Sequence, residues 1–175
     1  MANARWMIPL RVLAAVLLVG YPVFVWLGLS SQSPRVVSLV LLCVLAPAVF
    51  LRMKASGHAV MRGLAAIPLV TLVAFGLAAL LDMAGFILAV PVAINGVLLV
   101  VFGVTLRVGA VPMVERFARM QVEELTEPQQ AWCRMWTRIW CGFFVANGST
   151  ALALAVAAPM SWWAFYNGLL AYLLI

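Results

Sequence analysis

Residues 126 to 158 read TEPQQAWCRMWTRIWCGFFVANGSTALALAVAA. Thr126 and Gln129 stand at capping-box spacing and Pro128 suits a first helical turn, so a helix is predicted to start here. Nothing after Gln129 breaks it. The stretch therefore predicts one continuous rod, polar over its first turns and apolar over 139–158. At about 1.5 Å per residue, such an apolar run can cross a hydrocarbon core about 30 Å thick.

Working outward, five more apolar runs are marked by turn residues: 8–29, 36–51, 63–81, 84–106 and 161–175. Ser30-Ser31-Gln32-Ser33-Pro34 separates the first two, and a basic loop from Arg52 to Arg62 containing Ser56-Gly57 separates the next pair. Asp82 is expected to cap the fourth run after a very short turn, and Pro159-Met160-Ser161 to fold the last two into a tight hairpin. The second and sixth runs are short for a bilayer. The expected fold is all-α: a single membrane domain over 1–175, a bundle of about six transmembrane helices with a cytoplasmic amphipathic segment, 107–138, between the fourth and fifth.

Composition agrees. Of the 175 residues 67% are hydrophobic and 9% charged, with a mean hydropathy of +1.15. This excludes a water-soluble enzyme, which would have no interior for so much apolar surface, and excludes disorder. The net charge of +6 would suggest nucleic acid in a soluble chain, but here the cations flank the apolar runs, so no nucleic-acid partner is expected. With the amino terminus in the cytoplasm, Arg5, Arg11, Arg52, Lys54, Arg62, Arg107, Arg116, Arg119, Arg134 and Arg138 fall inside and Arg35 alone outside. The positive-inside rule then predicts both termini in the cytoplasm. The first run continues through Tyr21, Phe24 and Trp26 with no small-residue cleavage site, so it reads as a retained anchor rather than a signal peptide.

In the polar stretch 107–138, Pro112 and the apolar Met113, Val114, Phe117, Met120 and Leu125 beside Glu115, Arg116, Arg119, Glu123 and Glu124 predict a helix lying on the membrane surface. Trp132, Trp136 and Trp140 recur every four residues along one side of the rod, and Arg134 and Arg138 face elsewhere. Two readings stay open: an interfacial aromatic belt with snorkelling arginines, or a docking face for an acidic cytosolic partner or a phosphate-bearing lipid through Arg116, Arg119, Arg134 and Arg138.

The least ordinary feature is a repeated dipeptide, Asn95-Gly96, Asn147-Gly148 and Asn167-Gly168, each near the middle of its run. An unpaired amide in hydrocarbon costs several kcal/mol, so these side chains are predicted to turn inward and bond across helices while the glycines let backbones approach. Ser149, Thr150, Tyr166 and Tyr172 would extend the polar lining. The same amides serve either packing or a ligand pocket.

Chemistry is otherwise absent from the sequence. Cys43, Cys133 and Cys141 are scattered and one histidine leaves no zinc set, so no metal or cofactor is expected. His58 lacks a partner acid, no G-x-S-x-G turn or phosphate loop occurs, and Asp82 has no second acid to relay a proton. The chain is expected not to be an enzyme.

The strings PMVERFARM (112–120), TRIWCGFFVANG (137–148) and WWAFYNGLLAYLL (162–174) resemble an uncharacterised family of small bacterial inner-membrane proteins, over roughly 107–175. Members are often encoded near acyl carrier proteins, acyltransferases and ketosynthases of aryl-polyene or related pigment clusters. The resemblance implies a bacterial inner-membrane location and an accessory role in making or moving such a lipid. It brings no catalytic residue, and it leads to the expectation of a short polar tail after Ile175. The function expected is a non-enzymatic membrane scaffold that recruits cytosolic acyl carrier or biosynthetic proteins, in contact with membrane lipids and with copies of itself or another membrane subunit. The alternative is a carrier or flippase for an amphiphilic lipid with Asn95, Asn147 and Asn167 lining its route.

Overall fold

The computed structural model describes residues 20–55, 64, 66–122 and 124–174. The expectations for Arg5, Arg11, His58, Arg62, Glu123, Ile175 and the first half of the first run lie outside those residues. What is described is all-α, with no strand among the described residues. The helices are α1 (20–31), α2 (Pro34–Ala55), α3 (Ala66–Leu81), α4 (Ala84–Leu88), α5 (Val90–Gly103) with a 3-10 turn Val104–Leu106, α6 (Met113–Ala118), α7 (Glu127–Ala157), α8 (Met160–Phe165) with a π turn Tyr166–Leu170, and α9 (Ala171–Leu173).

α7 is the predicted rod, 31 residues without a break, and the Thr126 N–H donates to Gln129 Oε1 at 2.9 Å as the capping box requires. Among the described residues it is the one helix long and apolar enough to cross a membrane; 34–47, 66–81 and 90–106 are shorter apolar stretches. α5 runs antiparallel to α7 and forms the most extensive helix pair with it, α2 pairs with α3, and α3 packs on α5. At the α1–α2 turn a β-carbon on Gly28 would lie 3.0 Å from Val37 Cγ2, which is why glycine stands there.

Three expectations need correction. Asp82 does not cap the helix that follows it: the N-cap of α4 is Met83, which makes no side-chain cap. Its backbone takes φ +52°, and its carboxylate accepts from the Arg35 N–H at 2.8 Å, capping α2 instead, while Arg35 Nε donates back to the Ala79 carbonyl at 3.0 Å. The amphipathic helix is six residues, Met113–Ala118, rather than the full stretch to Leu125, because Met113 and its neighbours turn into the bundle while Met120 and Val122 stay exposed. The last run is α8, a π turn and α9 rather than one regular helix.

Two apolar clusters fill the bundle. One, at the Asp82 end, gathers Val25, Val37, Phe75, Ile87, Val90 and Trp163. The other, at the Arg134 end, centres on Phe102, Met113 and Phe144. Between them along α5 lies Asn95.

Candidate functional site

The layer between the clusters is polar. Tyr166 Oη donates to Asn147 Oδ1 at 2.8 Å, Asn147 Nδ2 donates to Asn95 Oδ1 at 3.1 Å, and Asn95 Nδ2 donates to the Pro91 carbonyl at 2.8 Å. All three bonds run in one direction, so each amide acts as acceptor and donor at once. Asn95 is buried, and a β-carbon on Gly148 would meet Asn95 Cβ at 3.1 Å: α5 and α7 approach this closely because the residue facing Asn95 has no side chain.

The expected meeting of three amides is thus a meeting of two plus a phenol. Asn167 is buried but donates to the Trp163 carbonyl of its own helix at 2.9 Å, four residues back, just where the π turn begins. Nor do the three glycines share a role. Residues adjacent on a helix lie about 100° apart, and with Asn95 turned inward Gly96 is exposed, with nothing within 4 Å of a β-carbon placed there. Gly96 lines an open apolar hollow of about 430 Å³ with Ala66, Ala93, Val97, Val100 and Val101. Gly148 and Gly168 are buried. Thr150 bonds the Ala146 carbonyl of its own helix and Ser149 is exposed, so neither joins the layer.

Next to the amides is a feature that residue types alone did not reveal. Pro91 has no N–H, which leaves the Ile87 carbonyl without its helical partner and separates α4 from α5 at Ala89. Tyr21 Oη donates to Ile87 O at 3.1 Å, and Trp163 Nε1 to Leu88 O at 3.3 Å. The two rings lie edge to face with centroids 6.4 Å apart, so side chains from two other helices satisfy the broken turn. Tyr21→Phe, which removes only the hydroxyl, is expected to destabilise the fold by about 1–2 kcal/mol by leaving Ile87 O unpaired. Unfolding of the variant against wild type in mixed micelles measures this.

At the other end, α6 is tied down by two threonines. Thr105 donates to Phe102 O and accepts from Met113 N at 2.9 Å; Thr137 donates to Cys133 O and accepts from Val114 N at 3.3 Å. Glu115, buried, takes Arg119 Nε at 2.9 Å and Nη2 at 2.7 Å on one oxygen. Burial raises the Cys133 thiol above its ordinary range, with Glu115 adding to the rise and Arg119 opposing it, so the thiol stays protonated at neutral pH.

The four docking arginines are therefore not equivalent. Arg119 is paired, Arg116 Nε donates to Val111 O at 3.0 Å, and Arg134 bridges Leu106 O (3.2 Å) and Ala110 O (3.1 Å). Arg138 is exposed. Of the tryptophan ladder, Trp132 and Trp136 are exposed, whereas Trp140 packs on Phe143 and Phe144 with centroids 5.6 and 5.8 Å away. No group of three or more His, Cys, Asp or Glu gathers at metal-binding spacing among the described residues.

The chain matches no family model, no curated protein and no solved structure.

Proposed function

We propose that the chain is a multi-pass inner-membrane protein that works by binding rather than by chemistry, as a helical scaffold accessory to the assembly of an aryl-polyene-type lipid or pigment. The observation that carries this reading is on α7. Only 17% of its most apolar window is buried inside the bundle, whereas a core helix of a soluble protein would hide most of it. Leu80, Val156 and Leu173 are likewise 75%, 80% and 72% exposed. Lipid is the solvent in which that surface carries no penalty. The path from Ala84 to Leu106 measures about 34 Å at about 1.5 Å per residue, and Ile139 to Ala157 on α7 about 28 Å, both close to one hydrocarbon thickness of about 30 Å. Arg107, Arg116, Arg119, Arg134 and Arg138 gather at one end and Arg35 at the other, so the positive-inside rule turns the Arg134 end to the cytoplasm.

The 3.1 Å approach of Gly148 to Asn95 and the closed hydrogen bonds of the layer favour packing over a lipid route. The accessory role draws on the likeness of residues 107–175 to small inner-membrane proteins encoded beside acyl carrier proteins. Those carriers are generally acidic, and Arg116 and Arg138 are the natural contacts. In a cysteine-free background, S31C is expected to react with an impermeant maleimide from outside intact cells and V108C only after lysis, with the protein retained in carbonate-washed membranes. Labelling of both from one side, or loss to the wash, contradicts the reading. Reversing Arg116 and Arg138 to Glu is expected to abolish capture of an acidic acyl carrier protein without changing insertion.

A further inference from the structure

Resting on that membrane placement, we infer that the corner between the turn Arg107–Ala110 and α7 is a headgroup site for an anionic phospholipid of the cytoplasmic leaflet, with Arg107 and Arg138 meeting its phosphate. The corner is built rather than incidental. Arg134 donates to the carbonyls on both sides of the turn, Leu106 O and Ala110 O, and the turn closes on itself through Ala110 N to Arg107 O at 3.1 Å. Gly109 supplies the left-handed conformation that closure needs, φ +77°. This sets Arg107 one residue from a carbonyl that Arg134 grips. Arg138 follows Arg134 by one helical turn on the same side of α7. Arg107 and Arg138 are both exposed.

At this end of the described structure Arg119 pairs with Glu115, which leaves Arg107, Arg134 and Arg138 without a carboxylate among the described residues. An external anion can supply the counter-charge, and planar guanidinium groups suit phosphate.

The surroundings select a lipid over a free phosphate. Val108, beside Arg107 at the tip of the turn, is completely exposed. A soluble anion would leave that side chain in water, whereas a phospholipid offers phosphate to the arginines and its glycerol carbons to Val108. The site also sits at headgroup depth, because the apolar part of α7 starts at Ile139, next to Arg138, and that of α5 ends at Leu106, next to Arg107. A zwitterionic lipid carries its own cation beside the phosphate and gains less.

The test uses the full chain in nanodiscs of phosphatidylcholine with a minority of phosphatidylglycerol, counting retained lipids by native mass spectrometry. Wild type is expected to retain phosphatidylglycerol in clear excess over its share of the bilayer. R107Q/R138Q is expected to lose that excess, about five-fold for each arginine, and R107K/R138K to recover part of it, while R116Q keeps most of it. Added inorganic phosphate is expected not to displace the lipid. Retention in proportion to bilayer composition, or enrichment unchanged in R107Q/R138Q, overturns the site and leaves the membrane reading standing. Displacement by inorganic phosphate overturns the lipid as ligand. Failure of the wild-type chain to enter nanodiscs overturns the membrane reading itself.

Discussion

Trp163→Ala is expected to destabilise the fold by about 3–5 kcal/mol, the largest effect of any single side-chain truncation. Trp163 has no exposed surface, so its removal leaves a cavity among Tyr21, Phe75 and Ile87 that neither lipid nor water reaches. It also strands the Leu88 carbonyl beside a helical turn already short of a donor at Pro91. Trp163→Phe keeps most of the filling and loses the hydrogen bond, so its effect is expected near 1 kcal/mol. Trp162, adjacent in sequence and 59% exposed, serves as the comparison: Trp162→Ala is expected to change stability by less than about 0.5 kcal/mol. Reversible unfolding by SDS in mixed micelles gives all three values on one scale. Equal losses at 162 and 163 would contradict the packing described here.

Gly148→Leu is expected to cost about 3 kcal/mol, and Gly96→Leu almost nothing. A β-carbon at Gly148 falls 3.1 Å from Asn95 Cβ and 3.8 Å from its Cγ. Asn95 cannot swing aside, because its oxygen accepts from Asn147 while its nitrogen is bonded to Pro91 O. A branched side chain there must push α5 away from α7, adding overpacking to the loss of the Asn147–Asn95 bond. At Gly96 a β-carbon meets nothing within 4 Å, and the gain in helix propensity over glycine, up to about 1 kcal/mol, is free to appear. Two identical dipeptides thus separate by orientation alone, and the same unfolding assay reads the difference.

How far the sequence reaches depends on the range of the interaction. α7 was legible in full, since its start, its lack of a breaker and its apolar stretch are all local signals. The inward turn of Asn95 and Asn147 was legible because an amide in hydrocarbon has few alternatives. Asn167 took one of them, a carbonyl on its own helix, and composition cannot choose between those outcomes. Pro91 announces an orphaned Ile87 carbonyl, but its donor is 66 residues away, and the Trp163–Leu88 bond spans 75, so neither partner could be named from spacing. Arg119 and Glu115 stand at the four-residue spacing of a helical ion pair, but spacing alone does not separate an Arg119 held by Glu115 from one that snorkels or docks a partner. Asp82 misled for a backbone reason: its positive φ turns the carboxylate back toward α2, away from the helix it precedes.

The most direct measurement is a double-mutant cycle between Asn95 and Asn147, with each changed to Ala singly and together and unfolding free energies read in mixed micelles. The account predicts a coupling of roughly 0.6–2 kcal/mol for this pair, and none for Asn147 with Asn167. Additive losses at Asn95 and Asn147, within about 0.3 kcal/mol, would mean that the two amides do not meet across α5 and α7.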